Sequence, residues 1–452
     1  MYIENIIKKY KYFNKDYFNS NKINVITYGR LMYKRIIGKV MFFTIQDIFN
    51  SIQIYFSYNF LLKNIKLKKI NIGSILKIKG YLFKTNVNEL TINCNKINIL
   101  VNCFNKLYVK SNLSIKENYK YKKRYLDLIV NNKSKDIFLI RSKIILEIRN
   151  FLFKKHFIEV ETPILQSLIG GAEANSFKTK LDIFNKNYYL RISPELYLKK
   201  LIVGGFNKIF EIGKNFRNEG ISHKHNPEFT MLELYISYKN YKYLITFIQN
   251  LIRNIYLKIF KSSILKINNI NIDLLKDFNI MSIEESLIKF NKNLNIDDYK
   301  SCYNYAKSIE INIENNISLL KLRYEIFKKT VENKLIYPTF IINYPIEISP
   351  LSKRNIKNKD IADRFELFIN GLEIANGFSE LNNFKDQILR FKKQNKFKKN
   401  KSFDKNYIDA LKYGLPPTSG IGIGIDRLIM ILANINNIKD VILFPSTRYK
   451  EI

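Results

Sequence analysis

The sequence predicts an α+β protein of at least two domains, and three observations carry that expectation. Residues 22–108 fall into short runs of alternating apolar and polar residues separated by turn signals. From residue 137 the apolar spacing lengthens to a helical period. From 341 to 452 the alternating runs return and end in a helix. A chain of 452 residues has the length for two or three domains with at least one large core.

Taken in order, residues 1–21 (beginning MYIENIIKKYKYF) form a short basic extension. It has no continuous apolar stretch and no small-residue cleavage pattern, which argues against a secretory signal. Residues 22–108 (NVITYGRLMYKRIIGK, VMFFTIQDIF, SIQIYFS, ILKIKGYLFKT, ELTINCNKINIL) suit a small β-barrel or sandwich. Residues 109–135, rich in Lys, Asn and Ser, read as a linker. The larger domain, 136–452, opens with a helix whose apolar positions are Phe138, Ile140, Ile144, Ile145, Ile148, Phe151 and Leu152. Residues 240–340 read as a mostly helical insertion, and the basic run 392–401 as a solvated helix face or loop.

The apolar fraction of 46% is that of a globular chain, and no segment approaches the length of a membrane span. Cys94, Cys103 and Cys302 form no CxxC pair, and their odd number argues against a disulfide framework; a reducing, cytoplasmic setting is expected. The net charge of +37 admits two readings. Lysines near phosphates favour a polyanionic partner. Alternatively, Lys, Asn, Ile, Phe and Tyr are inflated together, as AT-rich coding would produce.

Three stretches carry chemistry. The first is FRNEGISHKHNPEF (216–229) running into the strand EFTMLELYISY. Alternation puts Phe229, Met231, Glu233 and Tyr235 on one face and Thr230, Leu232, Leu234 and Ile236 on a core face. A carboxylate among large side chains must be paired or serve a ligand. His223 and His225 have no third histidine or cysteine nearby to complete a zinc site; with Arg217, Glu219 and Lys224 the loop reads as an anion clamp or a surface hairpin.

The second, RFELFINGLEIANGFSEL (364–381), holds the hairpin signal Asn370-Gly371, which sets Phe368 opposite Glu373 and Glu366 diagonally across. Two carboxylates on one face suit Mg²⁺. Asn376, Phe378 and Glu380 have the opposite parity, so one pocket requires a bulge, expected near Gly377. In the third, GLPPTSGIGIGIDRLIMIL (414–432), Gly420, Gly422 and Gly424 leave one strand face bare beside Arg427, and Asp426 reads as a helix N-cap. Neither GxGxxG nor a Walker loop is present.

Together FRNEG…HNPEFTMLELY, NGFSELNN and GIGIDR, with FIEVETP (157–163), GGAEANSF (170–177) and YLRISPELYLKKLIVGGF (189–206), resemble the class II lysyl-tRNA synthetases over nearly the whole chain. The resemblance implies an N-terminal OB-fold β-barrel that reads the anticodon and a catalytic domain built on an antiparallel β-sheet flanked by helices. It implies ATP, L-lysine and tRNA(Lys) as partners, Mg²⁺ as cofactor, and a homodimer formed around Glu159–Pro163. Carried onto this chain, it implies that Arg217 holds the α-phosphate and the lysine carboxylate. Glu219, Lys224 and His225 lie near the ATP, Phe229 stacks under adenine, and Arg427 binds the γ-phosphate. Glu366 and Glu373 hold Mg²⁺, with Glu373 also counted at the ATP. Glu233, Tyr235 and Glu380 surround the ε-ammonium, Asn376 and Phe378 shape the pocket, and Gly171 and Glu195 receive the α-amino group. Arg35, Phe42, Gln53 and Glu89 match anticodon-reading positions, although Phe42 could equally be barrel core.

The chain departs from the pattern at Lys224, where an arginine is usual and a point charge replaces a bidentate fork. An aspartyl- or asparaginyl-tRNA synthetase would need a cationic pocket. A protein-lysine-modifying paralogue would lack the first domain, and a non-catalytic RNA-binding relative would have lost Arg217, Glu373 or Arg427.

Overall fold

The computed structural model describes residues 1–105, 107, 117–313, 316–396 and 404–447; residues 109–116 of the predicted linker and 397–401 of the basic run lie outside them. The chain divides into two compact units, Met1–Lys120 and Tyr121–Ile452.

In the first unit β1 (Asn24–Ile37), β2 (Val40–Gln46), β3 (Ser51–Phe56), β4 (Ile75–Lys84) and β5 (Leu90–Val101) close a barrel in the order β1-β2-β3-β5-β4. Closure pairs every strand on both sides and leaves no free edge. The alternation seen in the sequence is the cause: in β2, Met41, Phe43 and Ile45 are buried while the residues between them are half-exposed. The basic extension belongs to this unit. Its helices Ile3–Tyr10 and Lys15–Ser20 insert Ile3, Ile6, Tyr10 and Phe18 into the barrel core, a helical stripe that the lysines between them obscure.

The second unit is built on an eight-stranded sheet. Its strands are β6 (Ile158–Glu159), β7 (Lys208–Phe216), β8 (Glu228–Ser237), β9 (Asn279–Ser282), β10 (Thr339–Ile342), β11 (Arg364–Ile369), β12 (Leu372–Ser379) and β13 (Thr418–Gly424). They lie in the order β9-β10-β11-β12-β13-β8-β7-β6. The pairs at the two edges are parallel and all others antiparallel. One face is the core: Leu232, Leu234 and Ile236 of β8, Phe365 and Leu367 of β11, and Ile421 and Ile423 of β13 are buried. They pack against α1 (Asn132–Lys154), α3 (Tyr241–Phe260) and α5 (Ile425–Leu432), while α2 (Glu195–Val203) and α4 (Lys405–Lys412) join a separate cluster around Tyr235. Each large apolar side chain buried there contributes about 1.5–3 kcal/mol.

Two sequence expectations are corrected and one is refined. Residues 121–135 are regular structure: helix Arg124–Val130 precedes α1, and buried Arg124 donates to the carbonyls of Lys439, Ile442 and Leu443. The region 240–340 is mostly helical, as its sequence reads, with short strands added: β9, the start of β10 and a hairpin of Ile264–Ile267 with Ile270–Asp273. Those strands are four residues each, too short for alternation to stand out from a helical pattern. Asp426 does not cap α5, whose N-cap position is Gly424. Its carboxylate accepts from the Thr230 amide at 2.7 Å and from Arg141 at 2.5 Å, stronger partners that tie α5 to β8 and α1. Among the described residues no helix is long and apolar enough to cross a membrane.

Candidate active site

The sheet's other face carries the polar residues in rows set by register. Glu211, Glu233, Gly422, Asn376 and Glu366 stand side by side across β7, β8, β13, β12 and β11. In the next row Tyr235, Gly420, Phe378 and Arg364 are neighbours. The Asn370-Gly371 turn forms with φ of 53° and 68°, and Phe368 pairs with Glu373 as its spacing predicts. The parity conflict is resolved by a bulge at Ile374, between the pairs Leu367–Ala375 and Phe368–Glu373, and not at Gly377. One extra residue there returns Glu373 to the side shared by Asn376 and Phe378.

This face floors a cleft of about 1640 Å³ that brings together Gly171, Glu195, Arg217, Glu219, Lys224, His225, Phe229, Glu233, Tyr235, Glu366, Glu373, Asn376, Phe378 and Arg427. Glu380 sits behind its wall. The bare glycine face is a steric requirement: a Cβ on Gly420 would collide with a Glu380 carboxylate oxygen and the Tyr235 ring. One on Gly422 would meet Met231 at 2.8 Å.

At one end the cleft is lined by buried carboxylates. Glu233 is buried, accepts from Ser193 Oγ at 2.9 Å and lies 3.4 Å from the Tyr235 hydroxyl. Burial, and next the neighbouring Glu195, push its carboxyl up to about 8, against the opposing pull of Ser193 and Arg217. Glu195 opens α2, and its amide donates to the same Ser193 hydroxyl. Gly171 has φ of 86°, and a side chain there would press on Ser193 and Glu195. Two residues missed in the sequence belong here. Ser193 bridges Glu195 and Glu233, and Lys199, fully buried, forms ion pairs with Glu195 at 2.5 Å and with Glu380. The i, i+4 spacing of Glu195 and Lys199 on a helix is the signal that could have found the lysine.

The other end is cationic. The Arg217 guanidinium lies 5.2 Å from the Phe229 ring centre, and its buried Nε has no hydrogen-bond partner. A buried donor without a partner suits an incoming anion. Arg427 donates to the Glu373 carbonyl at 2.9 Å and reaches its carboxylate at 3.5 Å. The loop between β7 and β8 lies over it. His225 Nδ1 and Ser222 Oγ are 2.8 Å apart, the His223 carbonyl accepts from Ile438, and Glu219 is exposed. Burial, then the charges of Arg427 and Lys224, hold the His225 imidazole below its ordinary range. Among the described residues no group of three His, Cys, Asp or Glu side chains could hold a metal by itself.

Glu366 and Glu373 nevertheless form an oxygen donor pair. Burial, partly offset by Arg364 and reinforced by Glu373, pushes Glu366 up. Arg364 donates to it at 2.5 Å, Tyr344 at 2.8 Å. Glu332, unmarked in the sequence, is raised to about 7 by burial and then by repulsion from Glu366 and Glu373. Carboxylates short of compensating charge, with no complete cage, fit a divalent cation that takes its remaining ligands from a phosphate chain.

On the barrel, Arg35, Phe42 and Tyr55 are neighbours across β1, β2 and β3. Phe42 is half-exposed and not core; its ring centre is 5.4 Å from Tyr55, which in turn lies 5.7 Å from Phe83. Gln53 donates to Glu89 at 3.1 Å. Tyr55 and Phe83 extend an aromatic surface that the sequence reading had confined to Phe42.

Comparison with known proteins agrees with this division. Residues 116–448 match the family described as tRNA synthetases class II (D, K and N), and residues 25–100 match the OB-fold nucleic acid binding domain. A lysine–tRNA ligase of Buchnera aphidicola subsp. Acyrthosiphon pisum (strain APS) is 49% identical over 98% of this chain and 90% of its own length. One from Wigglesworthia glossinidia brevipalpis is 48% identical over 99% and 92%, and one from Vesicomyosocius okutanii subsp. Calyptogena okutanii (strain HA) 45% over 98% and 92%.

Proposed function

The chain belongs to the class II lysine–tRNA ligases, and from that premise we propose that its cleft takes ATP at the cationic end and L-lysine at the acidic end. There it forms lysyl-adenylate and passes the lysyl group to tRNA(Lys), releasing diphosphate and then AMP. The observation that carries this reading is the pair of buried carboxylates, Glu233 beside Gly422 and Glu380 against Gly420, whose charges act on each other. An ε-ammonium satisfies both carboxylates. A neutral side chain leaves Glu233 buried without a counter-charge and Glu380 with Lys199 alone, at a cost of several kcal/mol, and an aspartate is repelled.

In the first step a lysine carboxylate oxygen attacks the α-phosphorus in line, and the bond to diphosphate breaks with its electrons leaving on diphosphate. Arg217 suits both reacting groups, since its Nε is buried and unpartnered. Phe229 offers the ring face away from Arg217 to adenine. Arg427, with Lys224 and His225 from the loop, closes on the terminal phosphates. Glu366 and Glu373 would hold Mg²⁺, which when bound neutralises phosphate charge. The 3′-terminal ribose hydroxyl of the tRNA then attacks the adenylate carbonyl and AMP leaves. Positioning and charge stabilisation carry both steps.

The outer barrel face of Arg35, Phe42, Gln53 and Glu89 offers stacking and base-edge contacts to single-stranded anticodon bases. A second copy is proposed to dock around Glu159–Pro163, where Ile158, Ile164 and Leu165 stand exposed. The free cysteines fit a reducing cytoplasm. ATP–diphosphate exchange across the standard amino acids tests the reading: exchange driven by lysine is expected, and exchange driven by aspartate or asparagine would overturn it.

A further inference from the structure

Lys199 is fully buried, an expensive place for an ammonium group. A leucine would pack the same helix position without that penalty, so the charge needs a reason beyond helix stability. Its surroundings supply one. On its own helix Glu195 lies 2.5 Å away, and Glu380, just past the end of β12, forms the second ion pair. The ring of Phe378 is 5.4 Å distant and that of Tyr407, on α4, 6.0 Å. Tyr235 and Glu233 face the same space from β8, and Arg217 acts on Glu233 from beyond the end of β7. The Lys199 ammonium is the one partner that the Glu380 carboxylate has among the described residues, which leaves its other oxygen open to a ligand.

We propose that Lys199 is a positioning residue for amino-acid recognition. It acts as an internal counter-ion that ties Glu195, the partner of the substrate's α-ammonium, to Glu380, a partner of its ε-ammonium. The inference rests on the proposed lysine site. Charge balance supports it. With every side chain ionised, Glu195, Glu233 and Glu380 stand against Lys199 and Arg217, which leaves one negative charge; in the empty pocket the proton that burial keeps on Glu233 cancels it. Lysine, with two ammonium groups and one carboxylate, brings one positive charge and makes the loaded pocket neutral. Without Lys199 the empty pocket holds one more uncompensated carboxylate, which takes up a proton that has to leave before the ligand's ammonium can pair with it. Burial would push the Lys199 ammonium down, but Glu195 and Glu380 outweigh it and keep it charged. One cation thereby fixes the carboxylates at both ends of the ligand.

The test is calorimetric titration of L-lysine near pH 7 in two buffers of different ionisation enthalpy, which counts protons released on binding, alongside exchange kinetics. Lys199→Met is expected to raise KM for lysine at least about tenfold, the loss typical of a charged hydrogen bond, with KM for ATP unchanged. It should also release about one more proton than the wild type, because a substituted proton must leave when the ammonium enters. A helix-stabilising role would move neither the proton count nor the KM split. An unchanged proton count and lysine KM in Lys199→Met would overturn the proposal.

If that variant does not fold, Glu380→Gln and the double variant Lys199→Met/Glu380→Gln decide. The double variant removes both charges and should match the wild-type proton count, whereas Glu380→Gln alone should release about one proton fewer. Equal counts in these two would overturn the proposal. Unchanged lysine KM in Glu380→Gln would instead sink the lysine-site reading itself.

Discussion

Replacing Glu233 by glutamine probes the acidic pocket most directly. Glu233 is buried and, with its carboxyl raised to about 8, is about one-tenth ionised at pH 7 in the empty pocket. Binding an ammonium requires the ionised form. Lysine KM in the wild type should therefore climb about tenfold per pH unit below 8 and level off above it. The glutamine variant keeps the shape and the Ser193 hydrogen bond but loses the charge. A charged hydrogen bond is worth about 1.5–3 kcal/mol, so lysine KM should rise about ten- to a hundredfold at pH 8. Its dependence on pH below 8 should flatten, while KM for ATP stays put because Glu233 lies at the other end of the cleft.

Stability gives the matching sign. A carboxyl raised in the folded state favours folding at low pH, and that contribution is lost as pH rises from its ordinary 4.5 through about 8. The unliganded glutamine variant should therefore melt higher than the wild type at pH 8.5, and added lysine should reverse the order. Lysine-dependent ATP–diphosphate exchange from pH 6 to 9, with thermal melts, measures both. An unchanged lysine KM in the variant, or a wild-type KM flat across pH 6–8, would refute the reasoning.

Gly420→Ala places a methyl against Glu380 and Tyr235, and overpacking of this kind costs about 1–3 kcal/mol. Lysine KM should rise by about ten- to a hundredfold in a protein that still binds ATP, as equilibrium ATP binding would check. Phe42→Ala removes one end of the barrel's aromatic surface, and loss of a stacked base costs about 1–3 kcal/mol. KM for tRNA(Lys) in aminoacylation should rise about tenfold or more, with the exchange reaction, which needs no tRNA, unaffected. Lys224→Arg restores a forked donor over the phosphates and should lower KM for ATP by about three- to tenfold; an unchanged value would remove Lys224 from ATP recognition.

Much of the fold was legible because periodicity reports burial. The β8 alternation separated Leu232, Leu234 and Ile236 from Met231, Glu233 and Tyr235, and the structure buries the first set in the core while the second faces the cleft. The Asn370-Gly371 turn was legible because few residues tolerate positive φ at both positions. Local rules fail where two distant segments compete for one group. Asp426 reads as a cap in isolation, but Arg141 and the Thr230 amide reach it first. The bulge at Ile374 depends on how β11 and β13 both register with β12, which no single strand encodes.

By itself the sequence determined which side chains alternate along single strands such as β8 and β13, and which stretches carry the carboxylates, arginines and bare glycines. Only the tertiary structure decided how those charges are balanced. Lys199 lies four residues from Glu195 in the chain, yet its second partner, Glu380, lies 181 positions beyond it and meets its ammonium only because α2 packs on β7 and β8 within the folded sheet. Charge in a dry interior is set by everything within a few ångströms, whatever its place in the chain. Spacing can propose an ion pair within one helix, and only packing supplies the rest.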